Sequence, residues 1–282
     1  MFFLGGELGA LLPAALVREA DGRLFLKSPY GASIGGCVLR TGTGVEIVLT
    51  IVDALQEYAA SIHVAGTEMR LGPSDLTVCP DDNLAFALTA RGFEHVRRWL
   101  CHVIRLPVDP AQVLAGIPTR SRRRYARYAL RQGVTPENAG PARLPEFYSL
   151  LQANRARHGV RPTHTLADLQ AIFAAVPERV RLFLFNLACR PIAGALVFEL
   201  NARTAYAFYV CHDALFEHYR ASSLAVAHLM EHYAARGFRY LDVGPSTFDD
   251  LTLNRGLAQF KEEFGATAFC RDTYRWERPD GS

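Results

Sequence analysis

The order of helices and strands predicted for the second half of the chain limits its possible folds more than any other feature. Apolar residues recur there first at helical spacing, then in three successive strand-like runs, and then in alternating helical and strand-like runs. The predicted helices cover residues 145–158, 166–175, 221–236 and 254–264, and the predicted strands cover 181–188, 192–200, 204–210, 240–243 and 268–276. Because helices and strands that alternate in this way pack as layers, the order predicts an α/β fold with a mixed sheet.

The first half of the chain mixes short strands with helices. Its pattern predicts strands at 34–39, 62–69 and 99–106, and helices at 45–58 and 81–91. A chain of 282 residues suits two packed lobes of about 100–150 residues each. We therefore predict an N-terminal lobe over 1–118, a basic connector helix and a Pro- and Gly-containing linker over 119–143, and a C-terminal catalytic lobe over 144–282.

Composition is that of an ordinary globular enzyme, with 50% hydrophobic and 21% charged residues and a formal net charge of only +3. The apolar N-terminus resembles a signal peptide, but it lacks a basic start and contains Glu7 and Pro13. No later run reaches the roughly 20 apolar residues that cross a bilayer. These features predict a cytoplasmic protein without a membrane span.

The cysteines form no C-x-x-C pair, and most of them lie in apolar runs. This placement predicts buried, reduced thiols, as is typical of cytosolic proteins. The alternative is a nucleophilic cysteine, for which no adjacent base is evident.

Four segments are similar to those of one known family. They are Ser28-Pro-Tyr-Gly-Ala-Ser-Ile-Gly-Gly36, Arg122-Arg-Arg-Tyr-Ala-Arg-Tyr-Ala-Leu-Arg-Gln-Gly-Val134, Gly237-Phe-Arg-Tyr-Leu-Asp-Val-Gly244 and Gln259-Phe-Lys-Glu-Glu-Phe-Gly265. In their order and spacing the sequence resembles the FemAB/FemX-like transferases, a branch of the GNAT-fold acyltransferases. The resemblance implies two tandem GNAT-like lobes that are packed together.

The resemblance also implies an activity. Family members transfer amino acids from aminoacyl-tRNA to amines, typically on peptidoglycan precursors, and relatives use acyl-CoA. This chain is shorter and has no coiled-coil insertion, so a small-molecule amine of a specialised pathway is an alternative acceptor. An aminoacyl ester is already activated, so this reaction requires no metal, ATP or other cofactor.

The donor site is predicted at the start of the helix over 221–236. In GNAT enzymes the corresponding turn binds the pyrophosphate of coenzyme A, and a helix N-terminus offers free N–H groups and partial positive charge. Ser222 and Ser223 are small enough to let an anion approach, and Arg220 adds a full charge. The glycines of the usual coenzyme A loop are absent, which favours a different donor. The alternative is a plain Ser-capped helix.

Lys261 is the predicted catalytic cation. Phe260 and Phe264 share one helix face, whereas Lys261 is turned about 100° away. In the family the corresponding lysine lies near the reacting carbonyl, where a fixed cation stabilises the developing oxyanion. The alternative is a solvated lysine beside Glu262 and Glu263.

A carboxylate or a water chain must accept the proton of the attacking ammonium group. The candidates near the predicted cleft are Asp213, Asp242, Asp249 and Asp250. Asp213 and Asp242 are the two that we assign to the catalytic site, although Asp242 could instead only bind loop amides.

Other residues are predicted to bind substrate. Tyr209 and His212 are placed to line the acceptor site, whereas Phe208 is expected in the core. Tyr30 and Ser33, beside the Gly35-Gly36 pair, lie in the first lobe's counterpart of the cleft. The glycines could instead only serve a tight turn.

The basic helix carries an arginine stripe. Arg120, Arg124, Arg127 and Arg131 recur at i, i+4, i+7 and i+11, which places them on one face. Because like charges at this spacing repel, such a stripe is solvated, paired with carboxylates or used on phosphates. We predict contact with the phosphates of a tRNA acceptor arm, with a merely solvated face as the equal alternative.

His228-Leu-Met-Glu-His232 fits a zinc-peptidase pattern. No third ligand is evident, so we predict no metal site.

The sequence therefore predicts a tRNA-dependent aminoacyltransferase that forms an amide. An acyl-CoA-dependent N-acyltransferase of the same fold is the first alternative, and a non-catalytic binding module is the second. The oligomeric state is not predicted.

Overall fold

The computed structural model of the chain describes residues 1–73, 76–77, 80–248 and 250–279. They divide into two compact units, of which the first comprises residues 1–100 with 270–282 and the second residues 101–269. The lobe boundaries predicted at 118 and 143 differ from the ends of these units and stay predictions.

The strands are, in chain order, β1 (Phe2–Leu4), β2 (Glu7–Leu11), β3 (Ala15–Arg18), β4 (Leu24–Ser28), β5 (Val38–Leu39), β6 (Gly66–Arg70), β7 (Glu94–Arg105), β8 (Val134–Ala139), β9 (Val180–Leu187), β10 (Arg190–Glu199), β11 (Thr204–His212), β12 (Tyr240–Pro245) and β13 (Ala266–Glu277). The helices are α1 (Val45–Ser61), α2 (Asn83–Ala90), α3 (Val113–Gly116), α4 (Arg120–Arg131), α5 (Leu144–Ala156), α6 (Leu166–Ala175), α7 (Ala221–Ala235) and α8 (Arg255–Glu262). This alternation confirms the predicted α/β class with a mixed sheet.

The first unit packs its helices on one side of a mixed sheet. Strand β4 pairs antiparallel with β3 and parallel with β6, and β6 pairs antiparallel with β13. Helix α1 buries Val48, Val52 and Leu55 in one cluster with Leu26 and Met69 of the strands. Strands β1, β2 and β5 form a separate small sheet.

The second unit contains an antiparallel meander. Strands β8, β9, β10 and β11 pair in sequence order, β12 joins β11 in parallel, and β7 pairs antiparallel with β12. Alternate residues of a strand point to opposite faces. Phe183 and Phe185 accordingly join the cluster formed with α7, whereas Leu182 and Leu184 join the cluster formed with α5.

A β-bulge lies in the middle of β11. Leu196 is opposite Tyr209 while Val197 is opposite Ala207, so Phe208 is the extra residue. In a regular strand Ala205, Ala207, Tyr209 and Cys211 would all point to one face. The bulge changes the face, so Ala205 and Ala207 pack with α7 while Tyr209 and Cys211 pack with α5. One strand therefore serves both cores.

The linker predicted after the basic helix is wrong in part. Residues Val134–Ala139 form β8, which pairs with β9 through Asn138 opposite Phe183. Pro136 is tolerated because an edge strand directs some of its N–H positions away from the ladder. The basic helix itself is confirmed as α4, and it packs against α7 through Ala126 and Ala129.

Most other predicted elements of the second half are confirmed to within a few residues. Several strands extend further than predicted; β11, for example, continues to His212, and β7 in the first half begins at Glu94. Among the described residues, no helix combines the length and apolar character that a bilayer crossing requires.

Gly194 offers a test of the α5 core. A Cβ there would lie 2.8 Å from Cδ2 of Phe147 and 3.3 Å from the backbone oxygen of Phe183. We expect Gly194→Ala to lower the free energy of unfolding by about 1–3 kcal/mol through overpacking, measured by urea denaturation. Gly140→Ala is the control, because no atom lies within 4 Å of the added Cβ. Equal stability of both variants would contradict this packing.

Candidate active site

Strands β11 and β12 separate shortly after they begin to pair. The parallel register joins Thr204 to Tyr240 and Tyr206 to Asp242. Among the described residues this pairing goes no further, although β11 continues to His212 and β12 to Pro245. Beyond Tyr206 and Asp242 the two strands therefore part into a wedge.

The end of β12 is held in a fixed loop. The Asp242 carboxylate is fully buried and accepts a 2.8 Å hydrogen bond from the backbone N–H of Gly244. Gly244 has φ +78°, and a Cβ there would lie 3.5 Å from the Tyr206 ring across the wedge. Glycine thus permits both the left-handed turn and the close approach of Tyr206.

Lys261 of α8 reaches this loop, so the structure brings Lys261 and Asp242 together through Gly244. Its side chain is buried, and Nζ donates to the carbonyl oxygens of Gly244 at 2.9 Å and Pro245 at 2.7 Å, and to Ser246 Oγ at 3.0 Å. The alternative of a solvated lysine is wrong. Three oxygens around one ammonium group match its donors and offset the cost of burying the charge.

Ser246 connects Lys261 to a buried histidine. Ser246 Oγ lies 2.9 Å from Nδ1 of His102 on β7, and both side chains are fully buried. On its other side His102 Nε2 lies 3.5 Å from Oε1 of Glu262, whose side chain is 60% exposed. Burial, together with the nearby charge of Lys261, lowers the pKa of His102 below its ordinary value.

Arg122 of α4 joins the two helices that flank the wedge. Its guanidinium donates to Glu263 at 2.6 Å and to Ser223 Oγ at 3.3 Å, and its Cζ lies 4.5 Å from the centre of the Phe260 ring. One planar cation therefore connects the first turn of α7 to α8.

Arg220 lies at the start of α7, as predicted for the donor site. It is exposed, adopts a left-handed conformation with φ 60°, and its Cζ lies 5.0 Å above the Tyr125 ring of α4. Ser222 is half-buried and Ser223 is buried against Arg122. The helix start thus combines two arginine side chains with first-turn N–H groups, which suits an anion.

The four stripe arginines are all exposed on α4. Within the described part of the chain, none of them has an ion-pair partner, although Arg124 also contacts the Tyr125 ring. The alternative of a stripe paired with carboxylates is therefore excluded for these residues. A solvated face and a phosphate-binding face remain.

Tyr209 and Asp213 lie apart from Lys261. Tyr209 belongs to the α5 core, because the bulge in β11 turns it away from the α7 face, and its hydroxyl lies 3.1 Å from His164 Nδ1. Burial raises its pKa. Asp213 directly follows β11, where it pairs with Arg190 at 2.9 Å and accepts from the N–H of Leu215. Their predicted roles stay predictions.

His212 is the last residue of β11. Its side chain is partly buried, and burial lowers its pKa. Its backbone oxygen accepts a 3.0 Å hydrogen bond from Asn154 of α5.

Tyr30 and Ser33 belong to the first unit, where Tyr30 is 69% exposed and Ser33 is partly buried. Asp250 accepts from Thr252 within its own turn, and Asp249 lies outside the described residues. The roles of these residues stay predictions.

The histidines of the zinc-like pattern pack against aromatic rings. His232 lies 4.9 Å from the Phe183 ring and His228 lies 5.8 Å from that of Phe185. Burial lowers the pKa of His232 to about 4. The described residues contain no cluster of three His, Cys, Asp or Glu side chains suited to a metal.

Cys101 and Cys211 are buried, as predicted, and Cys37 is partly buried. Burial raises the pKa of Cys211 to about 12 and that of Cys37 to about 11, which makes both poor nucleophiles. Cys189 and Cys270 are exposed instead, and Cys79 lies outside the described residues.

Sequence reasoning missed three residues of the site, namely Arg122, His102 and Ser246. Arg122 shares a helix face with Ala126 and Ala129, so it is a charge on the packed side of α4. His102 is likewise a polar residue within an apolar strand. A polar residue on a buried face was the available signal in both cases.

The comparison with family models decides the classification. A model described as an acetyltransferase (GNAT) domain matches residues 119–262, just over half of the chain. The chain belongs to the GNAT acetyltransferase family. It is therefore an enzyme of the acyltransferase class, and the match includes α4 with its arginines. No curated protein matches the sequence.

Solved structures share this GNAT fold. FemX is 16% identical, with a TM-score of 0.69 over 96% of this chain and 89% of FemX. The C-terminal domain of a putative lysylphosphatidylglycerol synthetase from Agrobacterium fabrum is 12% identical, with a TM-score of 0.58 over 93% of this chain and 83% of that domain.

A tandem GNAT protein from the clavulanic acid biosynthesis pathway is 13% identical, with a TM-score of 0.54 over 98% of this chain and 81% of its own. The predicted two-lobe GNAT fold and the FemX-like resemblance are confirmed, and identities this low concern the fold alone.

The contact between Arg122 and Glu263 can be measured by a double-mutant cycle with Arg122→Gln and Glu263→Gln. Both side chains are largely buried, at 21% and 24% exposure. We expect a coupling of about 1.5–3 kcal/mol, the range for hydrogen bonds to charged groups. The exposed Arg40–Glu7 pair is the control and should couple by about 0.2–1 kcal/mol. Equal coupling in both pairs would rule out Arg122 as a link between α7 and α8.

Proposed function

We propose that this GNAT enzyme transfers an aminoacyl group from aminoacyl-tRNA to an amine and forms an amide bond. The observation that carries the proposal is the position of the stripe arginines on α4. Other residues of the same helix, Arg122 and Tyr125, contact the start of α7 and α8 beside the wedge. A helix that binds RNA phosphates on its outer face would thus place the acylated end near Lys261.

The chemistry follows from the charges around the wedge. The amine nitrogen attacks the ester carbonyl, the carbonyl electron pair moves onto oxygen, and collapse expels the ribose hydroxyl. The buried positive charge of Lys261 at the end of β12 favours the oxyanion, because fixed charges act strongly away from water. Orientation of amine and ester by the wedge supplies the remaining acceleration.

Asp242 is the carboxylate placed best to receive the proton from the attacking amine. It lies on the loop that Lys261 holds, whereas Asp213 is engaged with Arg190 at the other strand end. The acceptor in this proposal is a peptidoglycan precursor or a small-molecule amine, and the protein acts in the cytoplasm.

Transfer from acyl-CoA is the second candidate. The wedge between β11 and β12 and the free first turn of α7 favour it, because these are the features that GNAT enzymes offer to coenzyme A. The exposed arginines of α4 favour the first candidate, since coenzyme A is too small to need a stripe of this length. Under the tRNA hypothesis ribonuclease abolishes transfer, and under the coenzyme A hypothesis it has no effect.

Lys261→Met tests the catalytic cation. Methionine keeps the length of the side chain and removes the charge, so we expect turnover to fall by roughly 100-fold or more, the order of loss when one electrostatic stabiliser of the oxyanion is removed. The assay uses tRNA that is charged with a radioactive amino acid, together with a panel of amines. It measures how much label moves from the base-labile tRNA ester into a base-stable amide. Gln259→Met, an exposed change on the same helix, is the control. Full turnover in Lys261→Met would contradict the role of the charge.

Arg127→Gln with Arg131→Gln tests the stripe. We expect weaker tRNA binding and a log–log salt dependence that is shallower by about 1.5–2, because two phosphate contacts are lost. Filter binding measures both quantities. The salt concentration is varied between about 50 and 200 mM, a range over which added salt weakens phosphate contacts. Arg179→Gln with Arg239→Gln removes two other exposed arginines as the control. Identical slopes in both double variants would leave the stripe a solvated face.

A further inference from the structure

Ser246 contacts the Lys261 ammonium group directly, and His102 is connected to it through Ser246. Ser246 Oγ accepts from Lys261 Nζ at 3.0 Å and lies 2.9 Å from His102 Nδ1. Ser246 and His102 are fully buried, on the loop after β12 and on β7 respectively. They therefore form a chain that runs from Lys261 toward Glu262 inside the protein.

We infer that Ser246 and His102 are positioning residues for Lys261, and that they hold its ammonium group in place only while His102 is uncharged. This role rests on the proposed function in one respect, namely that Lys261 acts in the transfer. The hydrogen-bond pattern itself does not depend on that function.

The direction of each hydrogen bond is fixed by its donors. The ammonium group can only donate, so Ser246 Oγ accepts from Lys261 and has its single proton left for His102. A Ser246 proton donated to His102 makes Nδ1 an acceptor without a proton and places the ring proton on Nε2, which lies 3.5 Å from Glu262 Oε1 and has no hydrogen-bond partner among the described residues. This arrangement gives both hydrogen bonds of Ser246 Oγ a donor and an acceptor, and it requires a neutral imidazole.

A proton on His102 Nδ1 breaks this arrangement. Ser246 Oγ would then face two charged donors, and its own proton would have no acceptor in the chain. Among the described residues, the charged groups that act on His102 are Lys261 and Glu262, both from α8, and the described part of the loop after β12 contacts it through the Ser246 hydroxyl. Lys261 repels an imidazolium, and the Glu262 side chain is 60% exposed, so water screens its attraction.

The electrostatics set the pH range of the effect. Burial and, second, Lys261 lower the pKa of His102, so it is neutral at pH 7 and becomes charged below its ordinary value near 6.5. A histidine whose pKa is lowered by folding stabilises the native state at pH values above the pKa that it has in the unfolded state. That stability is lost as pH falls toward the pKa of the folded state.

The first experiment compares His102→Asn with His102→Leu. Asparagine offers an acceptor oxygen at the position of Nδ1 and does not titrate, whereas leucine offers none. We expect His102→Asn to retain turnover within a few-fold of the original protein and to lose the acid limb of the kcat profile. His102→Leu should lower kcat by roughly tenfold or more with KM within about twofold, because the cation is misplaced.

A merely structural histidine predicts a different result. Both variants would then change stability alone, and the acid limb would persist in His102→Asn. That outcome would overturn the inference. Ser246→Ala should reproduce His102→Leu, and full activity in Ser246→Ala would overturn it as well.

A second experiment needs no substrate and so separates this inference from the proposed function. Lys27 and Lys261 are the only lysines of the sequence, so NMR of 15N-lysine protein shows two ammonium groups at most. We expect the Lys261 Nζ signal to be protected from exchange at pH 7 and to lose protection as His102 titrates, and to keep it at low pH in His102→Asn. If the protection of Lys261 Nζ from exchange did not change with the protonation state of His102, the inference would be overturned. This result would hold whichever donor the enzyme uses.

Discussion

The buried ammonium group of Lys261 is the interaction on which the rest of the catalytic unit depends. Removing such a charge from water costs several kcal/mol unless its hydrogen bonds are replaced. The carbonyls of Gly244 and Pro245 and the hydroxyl of Ser246 replace them. The same contacts fix the path of the chain after β12, so the charge and the shape of the wedge depend on each other.

Helix α4 contacts both α7 and α8. Its small face packs on α7, Arg122 reaches Glu263 on α8, and Tyr125 underlies Arg220. The outer arginines are left to solvent or to a ligand. The sequence predicted this segment as a connector, but it lies within the second compact unit. Its inner residues make specific contacts with α7 and α8, while its outer arginines are exposed.

Much of this fold could be predicted from the sequence, because each helix and strand of the second half carries its own periodicity. Strand β8 could not, since Pro136 and its polar neighbours are typical of a linker and only the pairing with β9 makes them a strand. The site was predicted in part. Lys261 and Asp242, which the sequence predicted as site residues, both hydrogen-bond to Gly244, whereas His102 and Ser246 are 144 positions apart and only the fold brings them into contact.

The extra residue in β11 has an evolutionary consequence. Alternate residues before the bulge, Ala205 and Ala207, pack with the α7 cluster, whereas alternate residues after it, Tyr209 and Cys211, pack with the α5 cluster. A relative without the bulge would place its later side chains on the wrong faces, so equivalent positions on either side of Phe208 must be matched separately. Loss of this one residue would exchange the α7-facing and α5-facing side chains in half of the strand.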